Sequence, residues 1–596
     1  MMSDTPSTDA AGTAARPAGS KAADLAQAMR RHVEPGCVLH LAGGIGGPGA
    51  AIAELLRTFR SRAPGFTIVQ STVCGHALNL VHAGLVKRLV CAVAADISGS
   101  ARPSRVIQRA IDRGLELENW SLLALQQRLM AGAFGVPLMP TRSIGGSDLE
   151  RDHAGRFARM PDPFGDGEVG VVRALVPDLS IVHGCIADED GNTVLAAPAG
   201  EDLWGALASR RGVIVTVERI ASAAEVRRHA AMVKIPSHRV LAVCAAPLGL
   251  HPFALPDPGI GRFRAYEQDA AFLGSLSRAA REPATLDAWL DEWVHGCASH
   301  AAYLRRLGRG RIAALRPRPP SAAEPPAPGD QLGAPADADE TMLVVLAREI
   351  ARCVRQHGHR IVLAGAGVGA TAAFLAHLRL RDEGCTVELL TGNGQFGYAP
   401  QPGGSVLASE AGVRSSRMLA DTVTAQGVLV GGGHNRCLAV LGAGQVDRHG
   451  AINSTLTTDG RFLVGSGGAN DALNADEVIV VLTQSRDRFV EQLPYVTGRG
   501  DRVMTVVSSL AVLRKPAAGD ELRLAALLPP VPSVAGALDA VRAACGWPLA
   551  VDPEVQALDA PTDRELALLR WLRDPQGDAA MKNRKTTTMH QAEVVK

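Results

Sequence analysis

The chain has 596 residues, of which 46% are hydrophobic and 20% charged, with a formal net charge of +2 at pH 7. That length holds two or more domains with cores of their own, and a near-neutral balance gives no electrostatic basis for binding nucleic acid. The ten cysteines form no C-x-x-C pair, which argues against a zinc knuckle or a disulfide scaffold and for free thiols in a reducing compartment. The first 22 residues lack the apolar core of a signal peptide, and no run approaches the roughly 18 apolar residues of a membrane span. A cytoplasmic location without a membrane partner is therefore expected.

In chain order, residues 1–22 read as a disordered N-terminus and residues 23–308 as a first body. It opens with an amphipathic helix (ADLAQAMRRHV), a Pro-Gly turn, a strand (CVLHLA), the loop GGIGGPG and an apolar helix (AAIAELLRTF). Further β-branched runs follow, among them FTIVQST, LSIVHG and GVIVTVE, separated by helical stretches rich in Ala, Leu and Arg. The run ADEDGN (187–192) holds three carboxylates, but it lacks the alternating ligand spacing of a calcium loop and reads as a hairpin turn. No metal site and no cofactor are implied.

Residues 309–340 carry seven prolines within RPRPPSAAEPPAPGDQLGAPADADE and read as an extended linker. A second body, residues 341–573, repeats the opening order: helix, His-Gly, the strand RIVLA, the loop GAGVG and the helix ATAAFLAHL. Aligned without gaps, residues 41–56 and 363–378 match at seven of sixteen positions. The runs GVLVGGG, VIVVLT and RVMTVVS read as later strands, and residues 574–596 as a disordered tail. The expected fold class is α/β, as two related open α/β domains with largely parallel sheets joined by a Pro-rich linker. In such sheets ligands sit at the carboxyl ends of the strands, which makes Gly43, Gly44, Gly46 and Gly47 candidates for substrate binding.

The stretch TGNGQFG places Gly392, Gly394 and Gly397 at the spacing of a dinucleotide fingerprint, directly after the strand-like CTVELL. That fingerprint requires a helix to open at its last glycines. Here YAPQPGGS follows, and its prolines and glycines forbid the helix.

Together these segments carry a resemblance. The first body is similar to the α half of family I CoA-transferases of the glutaconate type, through the Gly-rich loop at 43–49, ENWSLLALQQRLMAGAFGVPLMPTRSIGGSDL (118–149) and PDLSIVHGCIADEDGNTV (177–194). The second resembles the β half through GAGQVDRHGAINST (442–455), VGSGGAND (464–471), RFVEQLPYVTGRG (488–500) and PTDRELALLR. The match runs over nearly all of both bodies, in the family's order, and implies a CoA-transferase-like, NagB-like fold with two usually separate subunits fused.

The resemblance further implies an enzyme that uses coenzyme A as substrate, with an acyl-CoA as its partner and room for a homodimer. In the family a glutamate attacks an acyl-CoA thioester and is converted to a glutamyl-CoA thioester. The matching position here is Gly392, which has nothing to acylate. Asn393, beside it, can donate to a carbonyl or simply form the turn. Glu118 is a candidate base or a solvated acid at a helix start. Glu388, in the preceding strand, faces the cleft, solvent or an arginine. Gly394, Gly397 and the segment Gly465, Gly467, Gly468, Ala469 and Asn470 are candidate substrate contacts, the last segment offering backbone N–H groups for an oxyanion. Three functions stay open: acyl-CoA chemistry without a glutamyl-CoA step, such as decarboxylation or retro-Claisen hydrolysis; transfer by another route; and acyl-CoA binding without catalysis.

Overall fold

A computed structural model describes residues 19–97, 101–198, 202–317, 325–326, 334–365, 367–403 and 410–574. In the first half, strand Val38–Ala42 lies between Phe66–Val69 and Leu179–Ala187. Val86–Cys91 and Glu116–Asn119 extend the sheet on one side, Val213–Ile220 and Val240–Ala245 on the other, and every one of these pairings is parallel. The second half repeats the plan. Ile361–Ala364 lies between Glu388–Leu390 and Cys437–Gly442, followed by Glu477–Leu482 and Val503–Ser508, again in parallel.

Strands covered on both faces read as unbroken apolar runs, and Leu179–Ala187 and Glu477–Leu482 are buried at every residue. The first crossover helix of each half, Gly49–Thr58 and Val368–Asp382, buries alanines and leucines against its sheet. ADEDGN forms the expected hairpin: Leu179–Ala187 pairs antiparallel with Thr193–Val194, and the Asp188 carboxylate accepts from Gly191 N and Asn192 N at 2.9 and 2.8 Å. All ten cysteines are free, and all but Cys385 are buried. Among the described residues no helix is long and apolar enough to cross a membrane.

Three expectations need correction. The first body begins earlier and ends later than 23–308: Ala22 bridges to Val243, and Arg309–Ala314 is helical, with Arg311 Nε 2.5 Å from Asp269 Oδ2. The second body starts before 341, because Ala338–His357 is one helix, capped by Asp337 and Glu340. The linker is thus shorter than 309–340, and most of its remainder, like residues 1–18 and 575–596, lies outside the described residues. Lastly, GVLVGGG is not a strand. Val423–Val430 forms a wide helical segment in which Gly431 N donates to Gln426 O, five residues back.

The halves meet along a polar seam. Ser143 Oγ donates to Asp471 Oδ1 at 2.6 Å and Leu123 N to Asp471 Oδ2 at 2.9 Å. Ile144 N donates to Asn470 Oδ1 at 2.6 Å, and Ser466 N to Asn119 Oδ1 at 2.9 Å.

Candidate active site

In the first half the loop after strand Val38–Ala42 passes under two large side chains. Gly43 has φ +131°, and a Cβ there would stand 2.9 Å from His183 Cβ; at Gly46 (φ +84°) it would run into the Phe253 ring. The loop is therefore glycine for conformation and for space alike. Gly43, Gly44, His183 and Phe253 line a cavity of about 250 Å³ to which the second half contributes Gly403. His183 has both ring nitrogens engaged, Nδ1 with Thr216 Oγ1 and Nε2 with Glu218 Oε1, each at 3.0 Å.

The TGNGQFG segment is the turn of an antiparallel hairpin, Glu388–Leu390 with Gln395–Phe396, and residues 397–403 after it are not helical. Thr391 N donates to Gln395 O, Gly394 N to Thr391 O, and Thr391 Oγ1 to Asn393 Oδ1 at 2.5 Å. Asn393 thus shapes the turn. Gly394 packs against Ala420 O, with no room for a Cβ, and Gly397 against Arg417 and Glu388. Both are positions of close packing. Glu388 itself accepts from Arg417 Nη1 at 2.6 Å.

Gly392 is half-buried, and its φ lies outside the left-handed region. A Cβ at residue 392 would stand 2.5 Å from Gln426 Nε2, and one at Gly468 would stand 3.0 Å from the same atom. Gln426 is 2% exposed, and its Oε1 has no hydrogen-bond partner among the described residues. The buried Oε1 atoms of Gln70 and Gln126 are likewise unpartnered. Gln70 Nε2 would be 2.8 Å from a Cβ on Gly47; Gln126 Nε2 donates to Ser71 Oγ at 2.9 Å; Leu122, one helical turn before Gln126, would be 3.3 Å from a Cβ on Gly468.

Two expectations about the site are corrected. The first concerns the VGSGGAND segment. Gly465 N donates to Ser454 O and Gly467 N to Ala92 O, while Asn470 is held by Ile144 N and Thr497 O. Gly467 N closes the seam and Gly465 N is taken within the second half, so neither offers an oxyanion donor, and the Asn470 side chain is committed to the seam. Gly468 and Ala469 remain partly exposed at its edge.

Glu118 is the other correction. It lies in strand Glu116–Asn119, not in a solvated helix start, and is buried. Arg128 Nη1 donates to its Oε1 at 2.7 Å, Trp120 Nε1 to the same oxygen at 2.8 Å, and Arg88 pairs with Oε2. Burial alone would raise its carboxyl, but Arg128, Trp120, Arg88 and Arg156 hold it down at about 2. A carboxylate so acidic and so fully paired is no general base near neutral pH. Its role is structural. Because its folded pKa lies below the ordinary 4.5, its contribution is complete above pH 4.5 and is lost as pH falls towards 2, a difference of about 3 kcal/mol. Glu118→Gln should cost a similar ~3 kcal/mol at pH 7 in denaturant unfolding, since it leaves Arg128 buried without its counter-charge, and should remove that acid-range loss.

One group of metal-type side chains occurs among the described residues, Cys353, His357 and Glu477, at the amino-terminal edge of the second sheet. Glu477 Oε2 lies 2.6 Å from His357 Nδ1 and 2.8 Å from His359 Nε2. Two ligands of one tetrahedral zinc stand about 3.3 Å apart, so both histidines read as donors to the carboxylate.

Two glycine-loop α/β halves joined through a polar seam make a two-lobed α/β protein. Comparison with known proteins gives the class a name. The Coenzyme A transferase family model matches residues 22–246. Both subunits of the 3-oxoadipate CoA-transferase of Pseudomonas knackmussii are matched, the first at 29% identity over 34% of this chain and 70% of its own length, the second at 30% over 39% and 92%. The first subunit of the glutaconate CoA-transferase of Acidaminococcus fermentans is 28% identical over 50% of this chain and 95% of its own. An acyl-CoA transferase from Escherichia coli O157:H7 shares the fold, with a TM-score of 0.62 at 16% identity over 93% of this chain and 98% of that one. The chain belongs to the coenzyme A transferase family, and it joins counterparts of both subunits in one polypeptide.

The residues missed in the sequence are Gln70, Gln126, Gln426, Asp471 and His183. Gln126, Asp471 and His183 bond to partners distant in the chain, and Gln426 comes beside Gly392 only through the fold. The only local signal was the breadth of the apolar run around Gln426, which reads equally well as a strand.

Proposed function

We propose that this enzyme acts on an acyl-CoA thioester, with a dicarboxylic or β-keto acyl group, without forming a glutamyl-CoA intermediate. The observation that carries this reading is Gly392. It stands where the family resemblance places the nucleophilic glutamate, it has no side chain, and Gln426 Nε2 fills the space a side chain would enter. Attack by a carboxylate at this position has no atom to perform it.

The unpartnered polar group beside Gly392 is the neutral carboxamide of Gln426, Glu118 is paired with arginines, and His183, in the wall of the glycine-loop cavity, has both ring nitrogens engaged. That composition favours decarboxylation over retro-Claisen hydrolysis, which needs a general base. The substrate's C–CO2 bond breaks, carbon dioxide leaves, the electron pair passes into the thioester as an enolate or dienolate, and a proton from solvent completes the product. Hydrogen-bond donors aimed at the thioester oxygen lower the barrier to that step. The test is trapping: turning-over enzyme, quenched and analysed by intact mass, carries no covalent CoA. A CoA thioester on any glutamate would overturn the reading.

A further inference from the structure

We infer that a second cavity in the first half, between helices His76–His82 and Ala270–Ala279, is a ligand site of its own and takes a small hydroxylated anion. The cavity holds about 320 Å³. Its exposed end is positively charged. Arg102, Arg105 and Arg281 line it against a single carboxylate, Asp96, whose Oδ2 already accepts from Ser277 Oγ. Arg105 meets Glu282 at 3.3 Å with both side chains exposed, a pairing that water largely screens. Among the described residues the guanidinium groups of Arg102 and Arg281 have no partner. Helix Arg105–Asp112 starts at the same end, capped by Ser104, and has no acidic residue in its first turn, so its positive pole adds to the arginines. Arg281 is fixed in place, because Arg109 donates to Arg281 O and Ala280 O at 3.0 Å each. Guanidinium forks set around one hollow match a carboxylate or a phosphate.

The buried end asks for something different. Asn79 lines the cavity at 0% exposure, and its Oδ1 has no hydrogen-bond partner among the described residues, while its Nδ2 lies 3.5 Å from His76 Nδ1. A buried carbonyl oxygen is normally satisfied, and it can only accept. The group that meets it is therefore an O–H donor, and the anionic end of the ligand points outward to the arginines. Between the two ends Leu78 and Leu276 give the cavity apolar walls suited to a short carbon chain. One apolar cluster separates this cavity from the glycine-loop cavity: Ile97 and Leu273 line the one, Ile45 and Phe253 the other, and the four pack together.

The experiment titrates the full-length protein by calorimetry at low salt with two pairs of probes, malate against succinate and glycerol 3-phosphate against propyl phosphate, with free CoA as a control. Each pair differs in hydroxylation, and the two pairs together tell whether the arginines take a carboxylate or a phosphate. The hydroxylated member of one pair should bind saturably and about ten-fold tighter than its counterpart. Arg102→Ala combined with Arg281→Ala should weaken that binding about ten-fold or more, and should leave the affinity for free CoA and the unfolding midpoint unchanged, since both side chains are exposed. Asn79→Leu should bring the two members of the pair to equal affinity; if that variant fails to fold, the preference in the wild type and the arginine variant decide. A wild type that binds none of the probes, binding that survives loss of both arginines, equal affinity within each pair, or a preference that Asn79→Leu keeps overturns the inference. So does a loss of free-CoA affinity in the arginine variant, which would assign those side chains to CoA. None of these results touches the proposed function, which rests on Gly392.

Discussion

Gly392→Glu alone should give a folded enzyme without transferase activity and without a covalent CoA adduct, whereas Gly392→Glu combined with Gln426→Ala should acquire both. The backbone presents no obstacle, because φ at residue 392 is one that any residue adopts. The obstacle is the carboxamide 2.5 Å from the new Cβ. That amide is the free end of a flexible side chain and must swing aside, where it stays within reach of the new carboxylate and holds it out of line with the thioester; removing the amide frees the volume. The two substitutions are therefore strongly coupled, by about 0.5–3 kcal/mol in stability, and the coupling is measurable by denaturant unfolding alongside the mass analysis. An adduct on the single variant would show that Gln426 does not occupy the nucleophile's space. A folded double variant with no adduct would contradict the account of a lost nucleophile.

Asp471→Ala should be among the most destabilising single substitutions at the seam, by about 2–5 kcal/mol in urea unfolding. The side chain is fully buried in the second half and binds two groups of the first, Leu123 N at the start of helix Leu122–Phe134 and Ser143 Oγ. Hydrogen bonds to a charged partner contribute about 1.5–3 kcal/mol each, and both donors would be left buried and unsatisfied. The helix terminus loses a favourably placed anion as well. Asp471→Asn, which keeps one acceptor, should cost about half as much. A loss below about 1 kcal/mol for the alanine variant would mean that these contacts do not hold the halves together.

The architecture was legible because it is written locally. Apolar runs of strand length, glycine loops and amphipathic helices recur in the same order in both halves, and the gapless match between residues 41–56 and 363–378 survives as equivalent central strands and crossover helices. The site was less legible because its contacts are long-range. Glu118 looks like a helix-start acid until Arg88 and Arg128, distant in the chain, close over it. VGSGGAND looks like an exposed anion cradle until Ala92 and Asn119 take its N–H groups. GVLVGGG has the composition of a strand, and only tertiary packing makes it the wide helix that carries Gln426 to Gly392. What could be read was a glycine at the position where the resemblance expects a glutamate; its neighbour Gln426 could not be read.

The most direct test of the account is product analysis by mass spectrometry of wild-type enzyme with dicarboxylic, β-keto and cyclic β-keto acyl-CoAs, each with and without added acetate as acceptor. The dicarboxylic acyl-CoAs should give product without acetate, by loss of carbon dioxide, while the β-keto acyl-CoAs, which have no carboxylate to lose, should stay unchanged. Product that appears only with acetate, as acetyl-CoA and the free acid, would show that CoA transfer persists despite Gly392 and would contradict it.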